Sequence, residues 1–175
     1  MQFIMIKIIG MIMVLISSTL IGYLKSLKYT LRRRTIRAIL SSLNILITEI
    51  TYNQITLSEA FAKLSETSES GIGKLFLIAS QILNSNEGYT ASEAWEIALD
   101  KVGDLNLNQD DIRILKSFGK GLGNSDIYNQ EKNFKLASEL LKKQLNDAEE
   151  LSKKNEKLYK NLGVLVGIAV IIIFL

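Results

Sequence analysis

The chain contains no cysteine, no proline and no histidine among its 175 residues. It can therefore form no disulfide, no Cys/His zinc site and no Ser-His or Cys-His catalytic pair. Aromatic residues are also sparse, at 7% of the sequence with a single tryptophan, whereas 47% of the residues are hydrophobic. This composition favours a helix-rich chain with one folded domain and argues against both disorder and a β-sandwich.

Acidic residues are missing from the first 48 positions, which carry seven basic side chains. The other 127 residues carry 14 basic and 18 acidic side chains, a net charge of −4, although the whole chain is at +3. The basic surplus is thus one cluster, which argues against a broad nucleic-acid-binding face. Six of its members follow the first apolar segment: Lys25, Lys28, Arg32, Arg33, Arg34 and Arg37.

The N-terminus, residues 1–24, reads as an uncleaved membrane anchor. Residues 3–24 contain one charge, Lys7, and would form about 33 Å of helix, enough to cross a hydrocarbon core of about 30 Å. A signal peptide would have its basic residues before the apolar run, whereas here they follow it. Cations beside a span are retained in the cytoplasm, so the chain after residue 24 is expected on that side.

The C-terminus, residues 162–175, is a second hydrophobic segment. Its 14 uncharged residues would form about 21 Å of helix, which is short for a full span. Lysines precede it, among them Lys157 and Lys160, and the same charge rule places them in the cytoplasm. We therefore expect a cytoplasmic domain, residues 25–161, tethered to the membrane at both ends. Gly163 and Gly167 either allow a close helix contact or are a chance spacing.

Between the two segments the apolar residues recur at spacings of three and four, which is typical of amphipathic helices. The anchor should continue as a stalk to about residue 52, and a last helix should run from about residue 125 to the membrane and pack against residues 36–50 of the stalk. Shorter helices are predicted at residues 57–65, 71–83 and 91–102 and from residue 109. No strand pattern is found. The predicted fold is an all-α antiparallel bundle of about six helices.

Polar residues predict where three helices start, and a group of glycines predicts where one of them ends. Thr56 with Glu59, and Thr90 with Glu93, fit the capping box, and Asn108 precedes two acids at the start of a further helix. Three glycines between residues 119 and 123 should then end that helix.

No pattern points to chemistry. The glycine-rich segments at residues 71–74 and 119–124 fit neither nucleotide-binding spacing, and the paired carboxylates are best explained as solvated helix ends. Trp95 and Phe118 serve either as core residues or as anchors for a partner. We therefore expect no catalytic residue, no metal and no cofactor, and interpret the chain as an interaction module.

Three segments carry a family resemblance: 43–61 (LNILITEITYNQITLSEAF), 91–99 (ASEAWEIAL) and 118–130 (FGKGLGNSDIYNQ). With hydrophobic segments at both ends, this pattern resembles the stage III sporulation protein AB family over nearly the whole chain. Leu57 departs from it, since proline usually follows the threonine. The motif residues, structural or partner-binding, are Glu49, Tyr52, Thr56, Glu59, Ala60, Trp95, Phe118, Gly119, Leu122, Gly123, Asp126 and Gln130.

The resemblance implies a component of the channel complex that a mother cell builds into its forespore. Such a protein would lie in the mother-cell membrane around the forespore, with its helical domain, similar to the F-type platform of type II secretion machines, in the cytoplasm. Its implied partners are a cytoplasmic secretion-type ATPase, other membrane and ring proteins of the complex, and the lipid bilayer, with a homo-oligomer as a further possibility. It would act without catalysis, by positioning these partners.

Two other classes stay open. A membrane-anchored regulatory or lipid-binding adaptor would use the cationic helix at residues 25–37 to sense anionic lipid. An enzyme with aspartate or lysine chemistry would require a concave site with strongly shifted pKa values.

Overall fold

The structure, a computed structural model, describes residues 2–85, 87–123 and 127–174. In these ranges the chain forms α-helices and no strand, which confirms the predicted all-α class and the number of helices. The helices in chain order are α1 (Gln2–Thr51), α2 (Leu57–Thr67), α3 (Ser70–Leu83), α4 (Ala91–Lys101), α5 (Gln109–Lys120) and α6 (Ile127–Phe174).

The chain divides into two compact units, and the two long helices contribute to both. The hairpin unit contains Met1–Arg33 and Asp147–Leu175, and the helical unit contains Arg34–Asn146. As predicted, α1 runs without interruption from the apolar segment into the stalk. The predicted membrane boundaries at residues 24 and 162 stay predictions.

Capping boxes open the three helices for which the sequence showed polar signals. Thr56 accepts the backbone N–H of Glu59, and Thr90 accepts that of Glu93, while each glutamate accepts the backbone N–H of its cap residue. At α5 the partner of Asn108 is Asp111, whose carboxylate accepts the Asn108 N–H at 3.0 Å. Each box satisfies two N–H groups that would otherwise lack a partner at the helix end.

A continuous run of aromatic rings fills the core of the helical unit. The indole of Trp95 on α4 lies 5.7 Å from Phe61 on α2, 5.6 Å from Phe76 on α3 and 5.5 Å from Phe118 on α5. Phe118 continues the run to Phe134 on α6, at 4.9 Å with the rings nearly perpendicular. Offset and edge-to-face pairs at such distances add to the free energy gained by burial. Every helix from α2 to α6 contributes one ring.

The three glycines at the end of α5 differ from the prediction in one respect. We expected Gly119 to begin the helix break, but α5 continues through Lys120, and Gly119 is a buried helical residue. Gly121 closes the helix at φ −92°, and the left-handed backbone occurs at Gly123, with φ +76°. Thus Gly123 is the glycine that the backbone conformation requires, whereas Gly119 is required because a side chain there would collide with Trp95.

The stalk and the first part of α6 each bury one apolar face, as their periodicity predicted. Phe134, Ala137 and Leu141 are at most 3% exposed on α6. The Asn133 side chain also donates to the Phe118 carbonyl oxygen at 2.9 Å, which ties α6 to α5. That the stalk and α6 pack on each other stays a prediction. The buried stalk residues are Ile36, Ile39, Leu40, Leu43 and Leu46.

Candidate functional site: the hairpin unit and its cationic end

Two glycines meet where the helices of the hairpin unit cross. A Cβ atom added at Gly22 would lie 2.5 Å from the Tyr159 carbonyl oxygen and 3.0 Å from the Gly163 Cα atom. A Cβ added at Gly163 would lie 3.2 Å from the Gly22 Cα atom. Since Cβ contacts under 3.0 Å force the backbone to move, a side chain at Gly22 would separate the two helices.

The same contact continues one turn further along both helices. Gly163 approaches the Ser18 carbonyl oxygen, 2.9 Å from an added Cβ, and Gly167 lies against the Ser18 hydroxyl group. Gly167 of α6 lies beside Ser18 of α1, whereas the earlier Gly163 of α6 reaches the later Gly22 of α1. The two helices are therefore antiparallel. The pairing predicted as one option for Gly163 and Gly167 is thus a helix contact within the chain. We call Ser18, Gly22, Gly163 and Gly167 the small-residue contact.

Among the residues whose side chains the structure describes, large apolar side chains are exposed on both helices of the hairpin unit. In the described part of the chain, one helix is long and apolar enough to cross a membrane, and only 11% of its apolar window is buried. A protein surface in water rarely carries so large an apolar area, whereas a lipid-facing surface must. The residues, each 44–69% exposed, are Ile9, Ile12, Met13, Ile16, Leu20, Ile21, Leu24, Leu162, Leu165, Val166, Ile168 and Ile172.

Aromatic and cationic side chains mark one end of this apolar surface. Tyr29 and Tyr159 stack at 5.9 Å with the rings 19° from parallel, and the Lys160 ammonium lies 5.8 Å from the centroid of the Tyr23 ring. Tyrosine and lysine are the residues that anchor a span at the membrane–water interface.

The predicted orienting cations are distributed over both units. Lys25, Lys28, Arg32 and Arg33 belong to the hairpin unit, as do Lys157 and Lys160, whereas Arg34 and Arg37 belong to the helical unit. Arg34 donates through Nε to both carboxylate oxygens of Glu69, at 3.2 and 3.0 Å. Arg34 therefore has a structural contact besides the orienting role that its position predicts. The orientation itself stays a prediction.

Glu49, the first acid in the chain, joins the end of the stalk to α2. It is 7% exposed, and its carboxylate accepts from the Lys63 ammonium and from the Asn53 amide, the latter at 2.8 Å. The hydrogen bond from Lys63, followed by that from Asn53, holds the pKa of Glu49 below its ordinary value near 4.5. Glu49 thus fixes the turn between α1 and α2.

Most other motif residues that the structure describes are structural. Thr56 and Glu59 form the cap of α2, and Gly123 supplies the positive φ. Gln130 is half-buried, and Asp126 lies outside the described residues. The core residues among them are Ala60, Trp95, Phe118, Gly119 and Leu122.

Tyr52 is the exception, since it is 81% exposed at the end of the stalk. At this exposure the Tyr52 ring does not pack in the core, so core packing does not explain why tyrosine is part of the motif. Among the motif residues that the structure describes, Tyr52 is the one exposed aromatic side chain.

The small-residue contact includes positions that the sequence analysis missed. Ser18, Gly22 and the buried Ser26 recur every four residues on α1, which puts them on one face of the helix. This small-xxx-small spacing is the sequence signal for a close helix contact, but it lies largely within a long apolar run that already has an explanation as a membrane anchor. In the ranges given above, no three His, Cys, Asp or Glu side chains come together as a metal site would require.

The molecule is thus defined as an all-helical protein with a long apolar N-terminal helix and a hairpin stabilised by small residues. The chain belongs to the stage III sporulation protein AB family, as its sequence pattern predicted, because the family model Stage III sporulation protein AB matches residues 7–175. Stage III sporulation protein AB of Bacillus subtilis (strain 168) is 34% identical over 172 residues, covering 98% of this chain and all of that protein. A solved structure of Stage III sporulation protein AB is similar with a TM-score of 0.66 and 32% identity, over 70% of this chain and 96% of that one.

Proposed function

We propose that the protein is a non-enzymatic membrane platform of the sporulation channel complex. The hairpin unit lies in the mother-cell membrane around the forespore, and the helical unit lies in the cytoplasm. There it holds the secretion-type ATPase of the same complex and couples it to the membrane and ring components. The protein thus acts by positioning partners.

The observation that carries this proposal is the exposed apolar surface of the hairpin unit. Its two helices contact each other through residues with almost no side chain, which leaves the large apolar residues free to face lipid. Lysines follow the apolar run on α1 and precede it on α6, so both ends of the helical unit are expected on the cytoplasmic side.

Family membership supports the cellular role, because the matched relative is named as a sporulation protein. The helical unit has the properties of a rigid scaffold, with an aromatic core that every helix from α2 to α6 enters. We assign the contact with the ATPase to the surface around Tyr52, where a family-motif aromatic side chain is exposed and the nearby Glu49 carboxylate accepts the Asn53 amide at 2.8 Å.

The test is flotation of the purified ATPase with vesicles that contain the full-length protein. The ATPase should float with the wild-type protein and with a variant in which Arg32, Arg33, Arg34 and Arg37 are changed to glutamine. Tyr52→Ala should raise the Kd, measured by flotation at a series of ATPase concentrations, at least tenfold, because truncating an aromatic hot spot costs about 1.4 kcal/mol of binding or more.

Tyr89→Ala is the matched control, since Tyr89 is 40% exposed on the helical unit and lies outside the motif segments. Its vesicles should retain the ATPase. If wild-type vesicles retain none while both proteins are folded, the platform function is wrong. If only the arginine variant loses the ATPase, the four arginines bind it and the surface around Tyr52 does not.

A further inference from the structure

A groove opens beside the cationic end of the hairpin unit. Its volume is about 480 Å³, and it is lined by Ile21, Leu24, Lys25, Lys28, Tyr29 and Tyr159. All six residues belong to the hairpin unit, and none of them is acidic. The groove is bounded on one side by the stacked rings of Tyr29 and Tyr159.

The polarity of the groove changes along α1. Ile21 and Leu24 are 58% and 57% exposed and belong to the apolar segment, whereas the exposed Lys25 and Lys28 follow it. Seven residues separate Ile21 from Lys28, which is about 10 Å along a helix. A phospholipid at a membrane surface makes the same change, from acyl chain to phosphate headgroup, over a similar depth.

From this match we infer that the groove binds one anionic phospholipid, with its phosphate between Lys25 and Lys28 and the upper part of an acyl chain along Ile21 and Leu24. The lysines supply two positive charges, and the tyrosine pair supplies a fixed wall of the kind found at membrane interfaces. The charge selects an anionic headgroup, and the apolar residues select a lipid over a free phosphate ester.

The site goes beyond the platform function but rests on the membrane placement proposed for the hairpin unit. Flotation of the protein with vesicles of phosphatidylcholine alone tests that placement separately, because a neutral membrane does not require the two lysines. A loss of lipid binding with intact flotation would therefore concern the groove only.

The experiment is native mass spectrometry of the detergent-solubilised full-length protein, titrated with phosphatidylglycerol or with phosphatidylcholine. The double variant Lys25→Gln/Lys28→Gln should bind phosphatidylglycerol at least about tenfold more weakly, and the wild type should prefer it over phosphatidylcholine. The matched control is Lys153→Gln/Lys154→Gln, which removes the same charge from exposed lysines of the hairpin unit outside the groove. Its affinity should stay within about twofold of the wild type.

Two further measurements test the role of the tyrosine wall and whether the groove binds a lipid or a free phosphate ester. Tyr159→Ala removes the wall without changing the charge and should also weaken phosphatidylglycerol binding. Glycerol 3-phosphate, added at the same concentration as the lipid, should displace none of it. The proposal is wrong if both double variants lose the lipid equally, if the groove variant keeps it, or if glycerol 3-phosphate displaces it.

Discussion

Gly119 of α5 lies directly against the indole ring of Trp95 on α4, and a Cβ atom at Gly119 would overlap the Cδ1 atom of that ring. One turn earlier on the same helix, the Leu115 carbonyl oxygen accepts the Trp95 Nε1–H at 2.8 Å. The indole is thus held between a hydrogen bond and a glycine surface. This contact sets how closely α4 and α5 can approach.

Gly119→Ala should therefore destabilise the helical unit, although alanine is the better helix former. Overpacking in a core costs about 1–3 kcal/mol, and here the ring cannot move without loss of its hydrogen bond to Leu115. Urea unfolding of the detergent-solubilised protein, followed by the fluorescence of Trp95, its single tryptophan, measures the change.

Gly71→Ala is the matched control, because a Cβ there would make an ordinary contact at 3.7 Å with Leu105. It should leave the free energy of unfolding unchanged or raise it by up to about 1 kcal/mol. Equal effects of the two substitutions would contradict the packing role of Gly119.

The cap of α4 should contribute measurably to stability. Thr90→Ala removes the acceptor of the Glu93 N–H and should lower the free energy of unfolding by about 1 kcal/mol. Thr90→Ser keeps the hydroxyl group and should lose much less. Thermal unfolding followed by circular dichroism compares the two variants, and a serine variant as unstable as the alanine variant would show that the methyl group matters instead.

Stability should depend on pH through Glu49. Its pKa is lowered in the folded state by the hydrogen bond from Lys63, so the folded protein gains from the ionised carboxylate. That stabilisation is fully present above the unfolded pKa, near 4.5, and is lost as the pH falls through the lower folded pKa. Urea unfolding at a series of pH values should show this loss. It should be smaller in both Glu49→Gln and Lys63→Gln, and an unchanged pH dependence in both variants would exclude the Glu49 contact as its source.

The antiparallel hairpin can be tested by crosslinking, because the chain has no cysteine of its own. Ser18→Cys/Gly167→Cys should form a disulfide on mild oxidation in membranes, since these two positions are in contact. Ser17→Cys/Gly167→Cys is the control and should react poorly, because neighbouring helix positions point about 100° apart. Adding Gly163→Leu to the first pair should lower its yield, and equal yields from all three proteins would contradict the small-residue contact.

The local polar signals and the helical periodicity were sufficient to predict most of the fold. Thr56 and Thr90 act on residues three positions away, so their role is visible in the sequence. The buried faces of α3 and α4 follow the helical repeat in the same way. The motif residues carried the family resemblance because they include core residues such as Trp95 and Phe118.

What could not be predicted depends on contacts between residues far apart in the chain. The role of Gly119 depends on Trp95, 24 positions earlier, and the role of Gly22 depends on Gly163. A run of glycines looks the same in the sequence whether it ends a helix or leaves space for an aromatic ring. The predicted end of α5 at Gly119 is therefore too early. The groove at Lys25 and Lys28 likewise forms only when Tyr159 joins it from the other end of the chain.

Membrane topology is the central claim, and cysteine labelling measures it directly. Ser117→Cys places a thiol on the exposed surface of α5, and Ser17→Cys places one on the exposed apolar part of α1. In intact bacterial cells a membrane-impermeant maleimide should label neither, and permeabilising the cells should allow labelling of the Ser117→Cys variant alone. Labelling of Ser117→Cys in intact cells, or of Ser17→Cys before the membrane is dissolved, would contradict a membrane hairpin that carries a cytoplasmic helical unit.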